Sequence, residues 1–103
     1  MKLVTAVLAP ERLDAVTGAL AGVDVYRMTV TECRGITDPS GDQAPKVKLE
    51  VAVNENFVRL TLEAIQEAGR LDPEESSAYG KIFVTELLDV VRIRTGERGP
   101  DAI

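Results

Sequence analysis

Two short stretches in the last quarter of the sequence carry the side chains best suited to bind an anion. In Gly80-Lys81 a flexible glycine directly precedes a cation, so backbone N–H groups could approach an anion while the ammonium neutralises it. Arg92 and Arg94 stand two residues apart, and on an extended segment that spacing places both side chains on one side. Paired guanidiniums suit bidentate recognition of phosphate. The alternatives are a plain turn with a surface lysine and a solvated edge strand.

The overall charge indicates what size of anion these cations would bind. Lysine and arginine number 12 against 17 aspartates and glutamates, a net charge of −5, so the chain lacks the bulk positive potential of a nucleic-acid binder. Aromatic residues make up 4% of the sequence, which argues against stacking of single-stranded nucleic acid. A local cluster of Lys81, Arg92 and Arg94 in an acidic protein therefore favours a small anionic ligand.

The residue types present offer no catalytic constellation. The sequence contains no histidine, which excludes imidazole catalysis and histidine-ligated metal sites. No nucleophile stands beside an evident base, so we predict neither an enzyme nor a metal site. The single Cys33 cannot form an intrachain disulfide and suits the reducing cytoplasm. No apolar run approaches the ~18 residues that span a bilayer, so we expect no membrane insertion.

A length of 103 residues with 45% hydrophobic residues predicts one globular domain. Apolar periodicity and helix-boundary residues divide the chain into alternating elements separated by two polar loops. The predicted elements are a strand at 2–8, a helix from Pro10 to Gly22, a strand at 23–33, a loop at 36–45, a strand at 46–53, a helix that follows the N-cap Asn54 and ends at Gly69, a loop at 70–78, a strand at 80–87 and a segment from 91 that begins extended and turns at 95–97.

The order strand, helix, strand, strand, helix, strand is that of the ferredoxin-like α+β fold with a four-stranded antiparallel sheet. Each helix carries one apolar stripe, so both cover the same face of the sheet and leave the other face open. Because valine and isoleucine occupy both strand faces, we expect the open face to pack against other copies of the chain. The loop at 36–45 has little to bury and is either mobile or the tip of an extended hairpin.

The sequence resembles the PII signal-transduction proteins from end to end. The likeness is carried by residues 1–6, 28–35, 45–50, 80–84, 91–97 and 101–103. It implies a single PII-like domain at 1–103 that assembles as a homotrimer and binds ADP, ATP or AMP in clefts between subunits. Within that domain it implies a short target loop, the T-loop, at 36–45, a phosphate-binding B-loop region at 70–79 and a C-terminal segment at 91–103.

The resemblance also assigns roles to individual residues. Gly35 is one of the nucleotide-binding residues, and Lys46 is a candidate anion or effector residue. The target loop lies between these two residues. The remaining matches are Val7, Thr29 and Ala52 for the adenine pocket, Ala78, Tyr79, Gly80 and Lys81 for the loop around the phosphates, and Arg92 and Arg94 for the arginines that reach them.

The sequence departs from the family pattern in its loops. Ten residues separate Gly35 from Lys46, fewer than in the family's target loop, and that segment contains no tyrosine for uridylylation. The glutamine that helps hold 2-oxoglutarate has no clear equivalent. The family's Gly-Asp-Gly-Lys becomes Ala78-Tyr79-Gly80-Lys81. These departures are similar to those of divergent PII-like proteins with shortened loops, some of which are associated with bicarbonate transport and carboxysomes.

We therefore expect a regulator that senses adenine nucleotides, requires no cofactor and acts on an unidentified transporter or enzyme through residues 36–45. Inorganic-carbon metabolism is the expected setting, with bicarbonate as a further candidate ligand near Gly35 and Lys46. The alternatives are a nitrogen-status PII protein with a trimmed loop, a slow ATPase, and a structural trimer that binds no small molecule.

Overall fold

Four strands and two helices alternate along the chain in a computed structural model that describes residues 1–70 and 80–103. Two 3-10 turns, at Pro10–Arg12 and Gly99–Ala102, supplement them. The main elements are β1 (Lys2–Leu8), α1 (Leu13–Ala21), β2 (Thr29–Ile36), β3 (Gln43–Val53), α2 (Glu55–Gly69) and β4 (Lys81–Glu86).

The strands form one antiparallel sheet in the order β2-β3-β1-β4. β1 lies between β3 and β4, and its register runs from Lys2 opposite Val53 to Leu8 opposite Val47. This arrangement confirms the predicted ferredoxin-like α+β fold.

Both helices pack on one face of the sheet, where alternate strand residues are buried. Val4, Ala6 and Leu8 of β1 are buried and belong to the same core as Leu20 of α1 and Ile65 of α2. The intervening residues point to the opposite face, which no described element covers. That open face carries Leu3, Thr5 and Val7 of β1, Lys46, Lys48, Glu50 and Ala52 of β3, and their cross-strand partners on β2 and β4.

The second predicted strand is misplaced at both ends. We expected residues 23–33, whereas β2 spans Thr29–Ile36. Val25 is buried in the core, and its N–H donates to the Leu20 carbonyl, closing the end of α1. Asp24 has a φ of 64°, which turns the chain before β2. The β-branched residues here fill the core without entering the sheet.

The predicted loop at 36–45 is the tip of an extended hairpin. Ile36 pairs with Gln43 and Gly35 with Ala44, so the strands run into the expected loop and leave only residues 37–42 unpaired. Within this tip the Asp38 carboxylate accepts hydrogen bonds from the Ser40 hydroxyl and N–H. These two donors lower the pKa of Asp38.

The segment from residue 91 turns earlier than the sequence predicts, because the turn expected at 95–97 already begins at Arg92. The N–H of Gly96 donates to the Arg92 carbonyl at 2.8 Å, and Gly96 has a φ of 74°. Val91 pairs with Arg98 in an isolated bridge. The expectation that Arg92 and Arg94 share one side of a strand is therefore wrong, because the chain reverses across them.

Several large apolar side chains lie at the surface of the subunit. Phe83 on β4 is 52% exposed, and the exposed apolar residues continue into the segment that follows that strand. The others in that segment are Leu88, Val91 and Ile93. Across residues 1–70 and 80–103, no helix combines the length and apolar character needed to cross a membrane.

Candidate functional site

Gly80 and Lys81 lie at the start of β4, beside the end of β1. Lys81 pairs with Val7 across the sheet, so both side chains lie on the open face. A Cβ built on Gly80 would stand 2.6 Å from the Val7 carbonyl oxygen, closer than a real methyl group approaches. Only glycine lets the chain enter β4 at this distance, and this close approach positions the Lys81 ammonium at the open edge.

Lys46 lies toward the same end of the sheet, on β3. It pairs with Cys33 and is 4% exposed in the subunit, which is unusual for a lysine. A Cβ on Gly35 would stand 3.0 Å from Lys46 Cγ, so the glycine leaves room for the lysine stem to cross the strand. Across the described ranges Lys46 forms no salt bridge. Burying a cation without a counter-charge is costly, so Lys46 stays the candidate for an anion ligand that the sequence predicts.

A cavity of 360 Å³ opens at the other end of the sheet. Ala52, predicted for the adenine pocket, and Arg92, predicted for the phosphates, both line it. Thr29 lies on the same open face and pairs with Glu50, two residues from Ala52. The remaining lining residues are Asp24, Val25, Tyr26, Arg27, Val51, Val53, Asn54, Phe57 and Ile103.

The turn after β4 holds Arg92 at this cavity. Its backbone is fixed by two bonds: the Arg92 N–H donates to the Glu97 carbonyl at 2.9 Å, and the Gly99 N–H donates to the Val90 carbonyl at 2.9 Å. Asp89 closes the base of the turn by accepting from Arg98 Nε at 2.9 Å and from the Gly99 N–H at 3.2 Å. The Arg98 guanidinium, with these N–H donors, lowers the pKa of Asp89.

Arg92 and Arg94 differ in their surroundings. Arg92 is partly buried, and its guanidinium donates to the main-chain oxygens of Ala102 and Ile103 at 3.1 and 3.2 Å. Its Nη1 also lies 3.6 Å from Glu97 Oε1. Arg94 is exposed within the turn. Arg92 is therefore the arginine that the fold fixes in place.

Two cavity residues were missed by the sequence analysis. Arg27 donates to the Ile103 main-chain oxygen at 3.4 Å. Asn54 precedes α2, as predicted, yet its side chain makes no cap bond and instead donates to the Pro100 carbonyl at 3.2 Å. Neither contact could be read from spacing, because both partners are main-chain oxygens of a distant tail.

The predicted site residues form two groups at opposite ends of β1, with Thr29 between them at the level of Thr5. Val7 pairs with Lys81 in the first group, whereas Leu3, four residues back along β1, pairs with Ala52 in the second. At ~3.3 Å per residue these levels are about 13 Å apart along the strand. One subunit thus presents two separate half-sites. The lysine half-site contains Val7 and Lys81, and the arginine half-site contains Ala52 and Arg92. Predicted residues Ala78 and Tyr79 lie outside the described residues.

Comparison with known proteins gives consistent matches over the whole chain. The family described as nitrogen regulatory protein P-II matches residues 1–97. The chain is 42% identical over 118 residues to the nitrogen regulatory protein P-II of Azospirillum brasilense, with all of both chains covered. It is 40% identical over 115 residues to nitrogen regulatory protein GlnK1 of Methanosarcina mazei, covering 100% of this chain and 97% of the relative.

The fold has an equally complete match among solved structures. The crystal structure of Arabidopsis thaliana PII bound to citrate superposes with a TM-score of 0.88 at 34% identity, covering 99% of this chain and 91% of that one. Both the order of the elements and their packing are therefore shared with that protein.

Proposed function

Because the chain belongs to the nitrogen regulatory protein P-II family, we propose that it is a cytoplasmic homotrimeric regulator. In this proposal ADP, ATP or AMP binds in clefts between subunits. Nucleotide binding then changes how the regulator contacts a target protein of nitrogen metabolism. The relatives are named as nitrogen regulatory proteins, which favours nitrogen over inorganic carbon as the setting. The names of the relatives given above mention neither carboxysomes nor bicarbonate transport.

The separation of the two half-sites is the observation that supports intersubunit binding. Lys81 and Arg92 lie at opposite ends of β1 in one subunit, so the two cations of one subunit do not converge on the same phosphate group. A neighbouring subunit that brings its arginine half-site against the lysine half-site completes a cleft. The open sheet face and exposed Phe83 supply apolar surface for that assembly.

The proposed cleft divides recognition between the two half-sites. The cavity that Ala52 lines receives the base, whose burial against the apolar lining favours binding, while Thr29 lies on the same face of the sheet. Lys81 of one subunit and Arg92 and Arg94 of the next neutralise the phosphates. We propose no ATP turnover, because no described residue near these cations is placed to activate water.

The hairpin tip at residues 37–42 is the proposed contact with the target. The alignment with the Azospirillum protein covers 118 residues against 103 in this chain, so this chain carries gaps relative to it. We propose that part of this difference falls at the β2–β3 tip, which would make it a trimmed T-loop. A nucleotide bound beside Gly35 would then bias the position of the tip.

Calorimetry on the purified protein tests the nucleotide proposal. We expect ADP and Mg-ATP to bind with one site per subunit, and Lys81→Ala and Arg92→Ala each to weaken binding by about tenfold or more. Arg59→Ala, an exposed arginine on α2, is the control and should bind normally. Unchanged affinity in both site variants would exclude Lys81 and Arg92 as nucleotide ligands, and no heat with either nucleotide would leave only a structural trimer. ATP hydrolysis lost in Lys81→Ala would indicate an ATPase.

A mixing experiment tests whether the cleft is shared between subunits. Lys81→Ala and Arg92→Ala subunits are denatured, mixed and refolded together. A mixed trimer then regains one cleft with both cations intact, so high-affinity binding returns, whereas neither variant alone shows it. If binding does not return although mixed trimers are present, each site lies within one subunit.

The effector is tested in the same calorimeter. With Mg-ATP present we titrate 2-oxoglutarate and, separately, bicarbonate. Heat with 2-oxoglutarate alone supports nitrogen sensing, and heat with bicarbonate alone supports the inorganic-carbon interpretation.

A further inference from the structure

Residues 99–103 form a segment, called the tail here, whose Ile103 lines the cavity of the arginine half-site. The tail consists of the 3-10 turn Gly99–Ala102 and Ile103, and within it Ala102 is buried. Asn54 holds the tail through the Pro100 carbonyl, and Arg92 holds it through the main-chain oxygens of residues 102 and 103. The phosphate-binding arginine proposed above is thus already occupied within the subunit.

A second guanidinium meets Arg92 on the same acceptor. Arg27 Nη1 lies 3.4 Å from the Ile103 oxygen, and Arg92 Nη2 lies 3.2 Å from that oxygen. Both arginines also line the cavity. Glu97 offsets part of the charge through Arg92 Nη1, while Arg27 is exposed and forms no salt bridge within the described ranges. Two guanidiniums converging on one oxygen is the geometry that binds an anionic oxygen.

We infer that Arg27 is a further phosphate-binding residue of the nucleotide cleft, and that the tail at 102–103 is an internal occupant that the phosphate displaces. The inference rests on the proposed function. A polyphosphate presents several negative charges and several oxygens to the same two donors, so it competes with the tail for both guanidiniums. Holding the tail in place lowers the fraction of subunits competent to bind, and therefore lowers the apparent affinity.

Three variants test this inference: Arg27→Gln, deletion of residues 102–103, and the charge-matched control Arg59→Gln on α2. Each is titrated calorimetrically with ADP, adenosine and inorganic tripolyphosphate. We expect Arg27→Gln to weaken ADP and tripolyphosphate binding by about tenfold and to leave adenosine unchanged. Deleting the tail should strengthen both anionic ligands by roughly three- to tenfold.

Asn54→Ser provides a second way to release the tail if the deletion does not fold. Serine retains a good helix N-cap but is too short to reach the Pro100 carbonyl, so we expect the same direction of change as for the deletion. An Arg27→Gln protein that binds both anions as the Arg59→Gln control does overturns the assignment of Arg27. A folded tail variant with weaker anion binding overturns the displacement.

The tripolyphosphate measurements separate this inference from the proposed function. If the unaltered protein binds tripolyphosphate but not ADP, the proposed nucleotide recognition is wrong. The tripolyphosphate affinity of the variants then still tests whether Arg27 and Arg92 bind phosphate. If the unaltered protein binds ADP and neither variant changes its affinity, the further inference fails and the proposed function stands.

Discussion

Gly80 and Val7 approach so closely that a Cβ on the glycine would lie 2.6 Å from the Val7 carbonyl oxygen. This contact fixes where β4 begins against β1. It therefore also fixes the position of Lys81 directly opposite Val7. A backbone contact that no side chain can replace thus positions the cation of the lysine half-site.

Gly80→Ala should therefore destabilise the fold and disturb Lys81. The added methyl meets a backbone atom and not a flexible side chain, so we expect a loss of about 1–3 kcal/mol in the free energy of unfolding, together with weaker nucleotide binding. Gly18→Ala is the control, because a Cβ at Gly18 meets nothing within 4 Å. Since Gly18 lies inside α1, alanine there should raise stability by about 0.5–1 kcal/mol. Chemical denaturation of both variants checks this pair, and equal effects would contradict it.

Thr61→Val should stabilise the protein. The Thr61 hydroxyl is fully buried on α2 and has no hydrogen-bond partner within the described structure. Valine keeps the shape and removes the unsatisfied hydroxyl, so we expect a gain of about 1 kcal/mol by urea denaturation. Thr17→Val is the contrast, because Thr17 Oγ1 donates to the Asp14 carbonyl at the surface and its loss should bring no such gain. A destabilised Thr61→Val protein would show that the hydroxyl does find a partner.

The turn after β4 should loosen in acid through Asp89. Because Arg98 lowers the pKa of Asp89, this carboxylate contributes stability above its unfolded pKa of ~3.9, and the contribution is lost as pH falls through the lower folded value. Thermal melts from pH 6 down through that range should therefore show a steeper loss for the unaltered protein than for Asp89→Asn. Asp14→Asn, on the exposed side of α1, is the control and should follow the unaltered protein. Parallel curves for Asp89→Asn and the unaltered protein would contradict the role of Asp89.

Lys46→Met should separate effector binding from folding. Methionine keeps the stem that packs against Gly35 and removes a buried cation that has no ion pair among the described residues, so we expect stability to change by no more than about 1.5 kcal/mol. Binding of the effector anion with Mg-ATP should be lost while ADP binding remains. Lys48→Met, on the same strand and face but paired with Glu50, should retain effector binding. Equal effector binding in both variants would exclude Lys46 as the anion ligand.

The sequence predicts the fold well where pattern and packing agree. The first strand matches β1 residue for residue, and the helix expected between Asn54 and Gly69 is α2. The secondary-structure prediction fails where β-branched residues fill the core outside the sheet, because the same residue types are typical of strands. Val25 reads as strand but fills the core after α1, because the left-handed backbone at Asp24 reverses the chain there.

The candidate site is predictable only as separate pieces. The placement of Lys81 at the start of a strand follows from the sequence, and so does a turn near Gly96. That turn begins at Arg92 itself, however, so the alternation that would pair Arg92 with Arg94 does not apply. The contacts of Arg27 and Asn54 with the tail depend on main-chain oxygens, whose positions carry no signature in residue type.

The placement of the two half-sites at opposite ends of β1 has a consequence for the cell. If each cleft needs two subunits, a dissociated subunit cannot respond to nucleotide at any concentration. The signal would then depend on the abundance of the protein as well as on the metabolite, and ligand binding would in turn favour assembly. At low expression the subunits would dissociate, and the protein would then not respond to nucleotide at any metabolite level.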